Sequence, residues 1–254
     1  MLRYFEEPKV KASIEAIQHK LWNIFMKNLA PFIAALFVTF VGTSAHATPL
    51  NQWRVSCGVD KGSIQKKGKI RIFKTSTNHC TGGTFIQRAE IKSEKVSRNH
   101  KGKYQFTSTI HMTNDKNEKF DIFQMHDGRD GCAPPLKVTV LSNGRLKLEA
   151  DYKTGKGESC IRDVFAQSTK TNVVFKRNGQ PQQLDVSVDF LGKQRFSVQV
   201  FLDGELAAQG DYSPPEGKGY ITSKHFYFKH GVYSKRMFDY EMISQNMSVK
   251  RIKK

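Results

Sequence analysis

The sequence predicts an all-β fold of two packed antiparallel sheets, a β-sandwich or jelly roll. Short segments in which apolar and polar residues alternate follow one another from residue 51 to 252, as in strands with one buried face. Turn sequences such as Ser142-Asn143-Gly144, Asn178-Gly179 and Asp203-Gly204 lie between them. Helical periodicity is almost absent after residue 47, and we expect only a short helical turn at 161–167. Many strands joined by hairpin turns favour two sheets around one core.

The clearest alternation predicts seven strands. They are expected at 69–74, 104–112, 136–141, 145–150, 184–190, 196–202 and 238–252. No internal repeat and no long tract of Pro, Gly or Ser divides these segments. We therefore expect a single domain over residues 48–254, which is long enough to bury a core.

Residues 1–47 are expected to lie outside this domain. Met26-Lys27-Asn28 precedes an apolar run at 29–41, and Ala45-His46-Ala47 follows it. A basic start, a short apolar run and an A-x-A site are the parts of a secretory signal peptide. Residues 1–25 are then an upstream extension, and Met26 is an alternative translation start. The run is short for a membrane span, although a permanent N-terminal anchor is the alternative interpretation. We expect an exported protein, periplasmic or secreted.

The four cysteines, all in the exported part, fit that expectation. An even number of cysteines in an exported protein predicts disulfides. Three pairings exist, and we favour Cys57–Cys80 and Cys132–Cys160 because sequence neighbours close the shorter loops. A metal site is the alternative, but no C-x-x-C or H-x-x-x-H spacing occurs. We expect no metal and no cofactor.

The charge of the chain narrows the choice of partner. The formal net charge is +18, and a surplus of that size attracts polyanions. Nucleic acid, acidic polysaccharide and anionic membrane are therefore candidates. Export argues against nucleic acid, and no basic amphipathic helix suited to a membrane surface is evident. The charge thus favours an acidic polysaccharide.

The stretch from 227 to 235, YFKHGVYSK, is the most informative in the chain. Read as a strand, it places four polar or charged side chains on one face, namely Tyr227, Lys229, Tyr233 and Lys235. The residues expected on the opposite, core-facing side are Phe228, His230 and Val232. Phenols and ammonium groups make a poor core surface and a good anion-binding surface.

Two other segments repeat this division. On one, Arg88, Glu90 and Lys92 share a face; on the other, Gln124 and His126 share a face. Phe123 and Met125 alternate with the latter pair and are expected to point to the core. Three strands of this kind suggest one sheet that lines a cleft.

The three segments resemble the signature strands of alginate-lyase-type polysaccharide lyases, family 7 and related families. These show R-x-E-x-R, Q-x-H and Y-F-K-x-G-x-Y strands in this order, and the resemblance spans roughly residues 85 to 249. It implies a concanavalin-like β-jelly roll with substrate across a concave sheet. Lys92 replaces the second Arg of the first motif, and Met125 replaces the usual Ile or Val. The departures indicate a divergent member whose preferred polyuronate and sugar epimer stay open.

The resemblance also implies a reaction, β-elimination on a uronate-containing polymer. Such an enzyme removes the proton on C5 of a uronate and expels the oxygen on C4. Arg88 and Gln124 match the positions that neutralise the uronate carboxylate, which stabilises charge as it grows in the transition state. His126 is the candidate base. Tyr233 is the candidate acid, and for one sugar epimer also the base.

The remaining residues of the motifs are expected to support substrate binding. Glu90 is expected to orient Arg88 rather than react, because a free carboxylate there would repel the substrate. The other residues expected to bind the polymer are Lys92, Tyr227, Lys229 and Lys235.

Three other functions compete with this hypothesis. A non-catalytic jelly-roll lectin for anionic glycans would not need His126 and Tyr233 together. A glycoside hydrolase needs two carboxylates flanking the scissile bond, and no second carboxylate that could act with Glu90 is evident. A nucleic-acid binder is supported by charge alone. We therefore expect a monomeric polysaccharide lyase that acts on an acidic polysaccharide and binds neither nucleic acid nor membrane.

Overall fold

The computed structural model describes residues 48–167, 170, 172–217 and 219–253. The predicted N-terminal extension and signal peptide, residues 1–47, lie outside the described residues. In the described part, a short 3₁₀ turn at Pro49–Asn51 precedes fifteen strands. No helix in this part is long and apolar enough to span a membrane.

All the strands pair antiparallel. In chain order they are β1 (Trp53–Val55), β2 (Ile64–Lys67), β3 (Ile70–Lys74), β4 (Gln87–Ser93), β5 (Val96–Ser97), β6 (Lys101–Asn114), β7 (Phe120–His126), β8 (Leu136–Val140), β9 (Leu146–Lys153), β10 (Cys160–Gln167), β11 (Gln182–Gly192), β12 (Arg195–Leu202), β13 (Glu205–Tyr212), β14 (His225–Ser234) and β15 (Tyr240–Ile252).

The strands form two sheets, which confirms the predicted all-β class. One sheet has the order β1-β4-β14-β7-β8-β9-β10, with β5 paired to β14. The other has the order β13-β12-β11-β6-β15-β3-β2. Both sheets mix strands that are far apart in the chain, as in a jelly roll. All seven strands predicted from alternation are present, with ends that differ by a few residues.

The core lies between the sheets and is rich in aromatic rings. Phe123 packs against Phe106 and Phe228, each with ring centroids 5.1 Å apart. His230 is also buried there, where its Nδ1 lies 3.0 Å from the Ile122 carbonyl oxygen and its Nε2 lies 2.7 Å from Ser244 Oγ. Burial lowers the pKa of His230 to about 4, so this ring is neutral. His230 therefore faces the core, as predicted.

The prediction of a helical turn at 161–167 is wrong. Residues 160–167 form β10, which pairs with β9 at the edge of the first sheet. The register shifts between Val164 and Ala166, and a bulge of this kind interrupts strict alternation. Ile161 and Val164 are about half exposed, at 49% and 50%. The irregular apolar spacing thus reflects a bulged edge strand.

Two disulfides are present, Cys57–Cys80 and Cys132–Cys160, which confirms the predicted pairing. Each ties down a loop beside the first sheet. Cys80 precedes the segment 81–86, which leads into β4, and Cys160 opens β10. Both loops contribute to the cavity on this sheet, so the cross-links help to shape it.

Candidate active site

The three motif strands lie side by side in the first sheet, with β14 between β4 and β7. Tyr233 pairs with Arg88 across one boundary, and Tyr227 pairs with His126 across the other. Lys229 pairs with both Lys92 and Gln124. Directly paired residues of antiparallel strands point to the same face. The structure therefore gathers the predicted polar side chains on one surface.

A cavity of about 770 Å³ opens on this surface. Five of the predicted site residues line it: Arg88, Gln124, His126, Tyr233 and Lys235. Lys229, which we expected to bind the polymer, is instead buried outside this lining at 4% exposure, as is Glu90 at 1%, which we expected to support binding through Arg88. Lys92 and Tyr227 are partly exposed farther along the same face.

Glu90 is the centre of a buried charged cluster. Its Oε2 lies 3.1 Å from Arg88 Nε and 3.5 Å from Lys229 Nζ. Its Oε1 accepts a hydrogen bond of 2.7 Å from Gln124 Nε2. One carboxylate thus faces two cations and an amide from three different strands. The expected role of Glu90 in orienting Arg88 is consistent with this geometry.

The bond from Gln124 to Glu90 crosses β14, and Gly231 allows β14 to lie close to β4. Gly231 is paired with Glu90 and has a φ of 144°, a conformation open mainly to glycine. A Cβ atom at this position would lie 2.1 Å from the Ala89 carbonyl oxygen and 2.7 Å from Glu90 Cα. Without a side chain there, β14 approaches β4 closely and the Glu90 carboxylate reaches over it.

The hydrogen-bond network determines the tautomer of His126. The Glu90 carboxylate can only accept, so the amide nitrogen of Gln124 must point toward it. The Gln124 oxygen Oε1 is then the acceptor for His126 Nε2, at 2.8 Å. His126 therefore carries its proton on Nε2, which leaves Nδ1 with a free lone pair. One N–H of the Gln124 amide also remains for another acceptor.

The surroundings of His126 keep the ring neutral. Burial, followed by the charges of Lys229, Arg88 and Lys92, holds the pKa of His126 well below 6.5. The ring stacks on Tyr227 with centroids 5.4 Å apart. Burial, with the nearby carboxylate of Asp127, raises the pKa of Tyr227 to about 12. At neutral pH, His126 can accept a proton, whereas Tyr227 keeps its own.

Tyr233 is held on both ring faces and at its hydroxyl. The Arg88 guanidinium lies 4.4 Å from the ring centroid, and Phe85 stacks on the ring at 4.7 Å. The Tyr233 oxygen accepts hydrogen bonds from the backbone N–H groups of Thr84 and Phe85, at 3.2 and 3.1 Å. Because those groups only donate, the hydroxyl proton of Tyr233 is left for a different acceptor. Sequence analysis missed this loop, since backbone donors leave no signature in residue types.

Polar residues on β7 to β10 extend the cavity, and sequence analysis missed them as well. They are Asp121, Lys137, Thr139, Lys147, Glu149, Asp151 and Arg162. The sequence did carry a signal for these residues. Lys137 and Thr139 on β8 are two residues apart, as are Glu149 and Asp151 on β9, which places each pair on one face of its strand. We call this set the distal half of the cavity.

The buried cluster predicts a large effect of Glu90→Gln on stability. This substitution keeps the side-chain shape but removes the charge that faces Arg88 and Lys229. Removal of one partner leaves buried cations uncompensated, so we expect the free energy of unfolding to fall by about 3 kcal/mol. Urea unfolding measures the change.

Glu94→Gln is a matched control for this experiment. Glu94 pairs with Arg54 at 3.3 Å, but their side chains are 39% and 55% exposed. Exposed pairs contribute less than about 1 kcal/mol. Equal effects of Glu90→Gln and Glu94→Gln would show that the Glu90 cluster does not stabilise the fold.

Comparison with known protein structures identifies the fold. No family model and no curated protein sequence matches the chain. Among solved structures, alginate lyase A1-II′, a member of polysaccharide lyase family 7, gives a TM-score of 0.53 at 14% identity. The match covers 80% of this chain and 95% of that one. Alginate lyase AlgAT5 of the same family gives 0.52 at 14% identity, covering 80% and 96%.

A variant of A1-II′ has been solved in complex with a substrate, GGMG. It gives a TM-score of 0.52 at 13% identity and covers 80% of this chain and 93% of that one. The chain therefore has the jelly-roll fold of the alginate lyases at low sequence identity. The predicted resemblance is confirmed at the level of fold.

Proposed function

We propose that the protein is a polysaccharide lyase that cleaves a uronate-containing polysaccharide, such as alginate, by β-elimination. One observation carries this proposal. A neutral histidine with a free ring nitrogen, His126, and a tyrosine with an uncommitted hydroxyl proton, Tyr233, line the same cavity beside Arg88. A lectin would need anion-binding groups but not this pairing of a proton acceptor with a proton donor.

In the proposed mechanism, the uronate carboxylate binds near Arg88 and the remaining N–H of Gln124. Positive charge and N–H donors stabilise the enolate-like transition state, where negative charge grows on that group. His126 Nδ1 takes the proton from C5. The electron pair of the C5–H bond forms the C4=C5 double bond as the C4–O bond breaks. The Tyr233 hydroxyl gives its proton to the departing oxygen.

We further propose that the protein works outside the cytoplasm. The predicted signal peptide and the two disulfides support this location, because disulfides persist in oxidising compartments. Alginate and similar polyuronates are large polymers, which an exported enzyme can reach.

An absorbance assay tests the proposed function. The mature protein is incubated with a panel of polyuronates, and the new C4=C5 double bond is followed in the ultraviolet. We expect product from at least one polyuronate and none from a neutral glucan. Added salt should weaken binding, since exposed ion pairs are screened. Salt-sensitive binding without any double-bond formation would indicate a lectin and contradict the proposal.

A further inference from the structure

The distal half of the cavity differs in charge balance from the catalytic half, which is the part lined by Arg88, Gln124, His126 and Tyr233. Lys137 Nζ lies 3.4 Å from Glu149 Oε2, and Lys147 Nζ lies 2.8 Å from Glu149 Oε1. Arg162 Nε lies 3.1 Å from Asp151 Oδ1. Each cation of the distal half therefore already faces a carboxylate of the protein. Beside His126 and Tyr233, by contrast, Arg88 and Lys229 share the single carboxylate of Glu90, so positive charge is in excess there. Lys119 and Lys235, which also line the cavity, are exposed next to the ends of β7 and β14.

The carboxylates of the distal half are buried, and for two of them, Glu149 and Asp121, the surroundings indicate the charged form at neutral pH. Asp121, Glu149 and Asp151 are between 2% and 7% exposed. Burial favours the neutral form of Glu149, but the hydrogen bond from Lys147 and the charge of Lys137 outweigh it, so its pKa lies below the usual value. Burial raises the pKa of Asp121 to about 6, which still leaves it mainly ionised at pH 7.

One carboxylate oxygen of Asp121 receives no hydrogen bond from the described residues. Its Oδ1 accepts a hydrogen bond of 2.5 Å from the Thr139 hydroxyl. Its Oδ2 is buried and has no hydrogen-bond partner among the described residues, and Lys137 Nζ is 3.9 Å away. Asp121 lines the cavity. Because buried polar atoms are rarely left unsatisfied, this oxygen indicates a ligand group that donates a hydrogen bond.

A second uronate carboxylate would be placed poorly in the distal half. It would meet three buried carboxylates, while every cation there is already paired. Like charges repel more strongly at low dielectric than in water, and displacing a buried carboxylate from its cation is costly. An uncharged sugar avoids both costs, and its O–H or N–H groups can donate to Asp121.

We propose that the distal half binds a sugar that carries no carboxylate, so that the preferred substrate is a polymer in which uronates alternate with uncharged sugars. This inference rests on the proposed lyase function and narrows its substrate class. The catalytic half binds the uronate, and the distal half selects its uncharged neighbour.

The test compares polymers of the two kinds. Polymannuronate and polyguluronate have a carboxylate on every sugar. Unsulfated chondroitin places an N-acetylated sugar, and gellan a neutral sugar, next to each uronate. We expect kcat/KM for double-bond formation to be at least about tenfold higher on chondroitin or gellan than on either homopolymer.

The substitution Glu149→Gln is expected to improve cleavage of the homopolymers. It removes one buried carboxylate and frees Lys147, so kcat/KM on the homopolymers should rise several-fold relative to kcat/KM on the alternating polymer. Asp151→Asn should act in the same direction by freeing Arg162, whose side chain is 62% exposed. This second variant keeps the test decisive if Glu149→Gln does not fold.

The outcomes separate the two proposals. Cleavage of a homopolymer by the unchanged protein as fast as that of the alternating polymers would overturn the inference and leave the lyase function intact. Slower homopolymer cleavage after Glu149→Gln or Asp151→Asn, in folded protein, would overturn it as well. Absence of unsaturated product from every polymer would overturn the lyase function itself.

Discussion

Tyr233→Phe is expected to abolish most turnover while polymer binding is largely retained. The ring keeps its contacts with Arg88 and Phe85, so only the hydroxyl and its proton are removed. Loss of a positioned acid–base group typically lowers the rate by about 10²–10⁴-fold. Initial rates of double-bond formation measure the loss, and calorimetric titration with an oligosaccharide measures binding.

Tyr227→Phe is the matched control, because Tyr227 lies on the same strand and face. Burial and nearby carboxylates raise its pKa to about 12, and we assign it no proton transfer. Tyr227→Phe should therefore lower kcat much less than Tyr233→Phe does. Because Tyr233→Phe also removes the acceptor for the Thr84 and Phe85 N–H groups, thermal unfolding should be recorded in parallel. Near-normal turnover by folded Tyr233→Phe protein would contradict the proposed mechanism.

His126→Ala is expected to cause a loss of similar size, about 10²–10⁴-fold in kcat. The pH dependence distinguishes a base from a structural residue. Burial and three nearby cations depress the pKa of His126 well below 6.5, so the neutral, proton-accepting form persists as the pH falls through that value. The acidic limb of kcat/KM, which reports the free enzyme, should therefore lie clearly below pH 6.5.

His225→Ala is the control for this experiment. His225 is partly exposed on β14, 5.7 Å from the Tyr227 ring centroid, and has no part in the proposed reaction. His225→Ala should leave the acidic limb of kcat/KM in place. His126→Ala should remove this limb and most of the rate. An acidic limb centred at or above 6.5, or one that survives His126→Ala, would exclude His126 as the base.

Alternation of residue types was enough to predict most strands and the two faces of the motif strands. A two-residue period determines the side on which each side chain lies. The placement of His230 in the core and of Tyr233 beside the cavity follows from it. The order of the strands could not be predicted this way, because β14 is the second-last strand yet lies between β4 and β7. Pairing across such distances depends on the whole chain.

The features that were not predicted from the sequence have physical causes. In the sequence, Lys137 on β8 and Glu149 on β9 each look like part of a solvated strand face, and they are buried only where the two strands pair in the folded sheet. The donors to Tyr233 are backbone groups, which every residue but proline carries. The bulge in β10 shifts the apolar pattern by one residue and imitates helical spacing. In each case, tertiary structure supplied what local sequence lacks.

The glycine at 231 has a consequence for how such sites can be recognised in other sequences. A Cβ atom there would meet the backbone of Ala89 and Glu90, so its absence lets β14 lie close to β4, across which the Glu90 carboxylate bonds to an amide two strands away. A chain that kept every polar residue of the three motifs but carried a larger residue here would retain the chemical groups without their connection. A search for such sites should therefore require a glycine at the position of Gly231 in addition to Arg88 and His126.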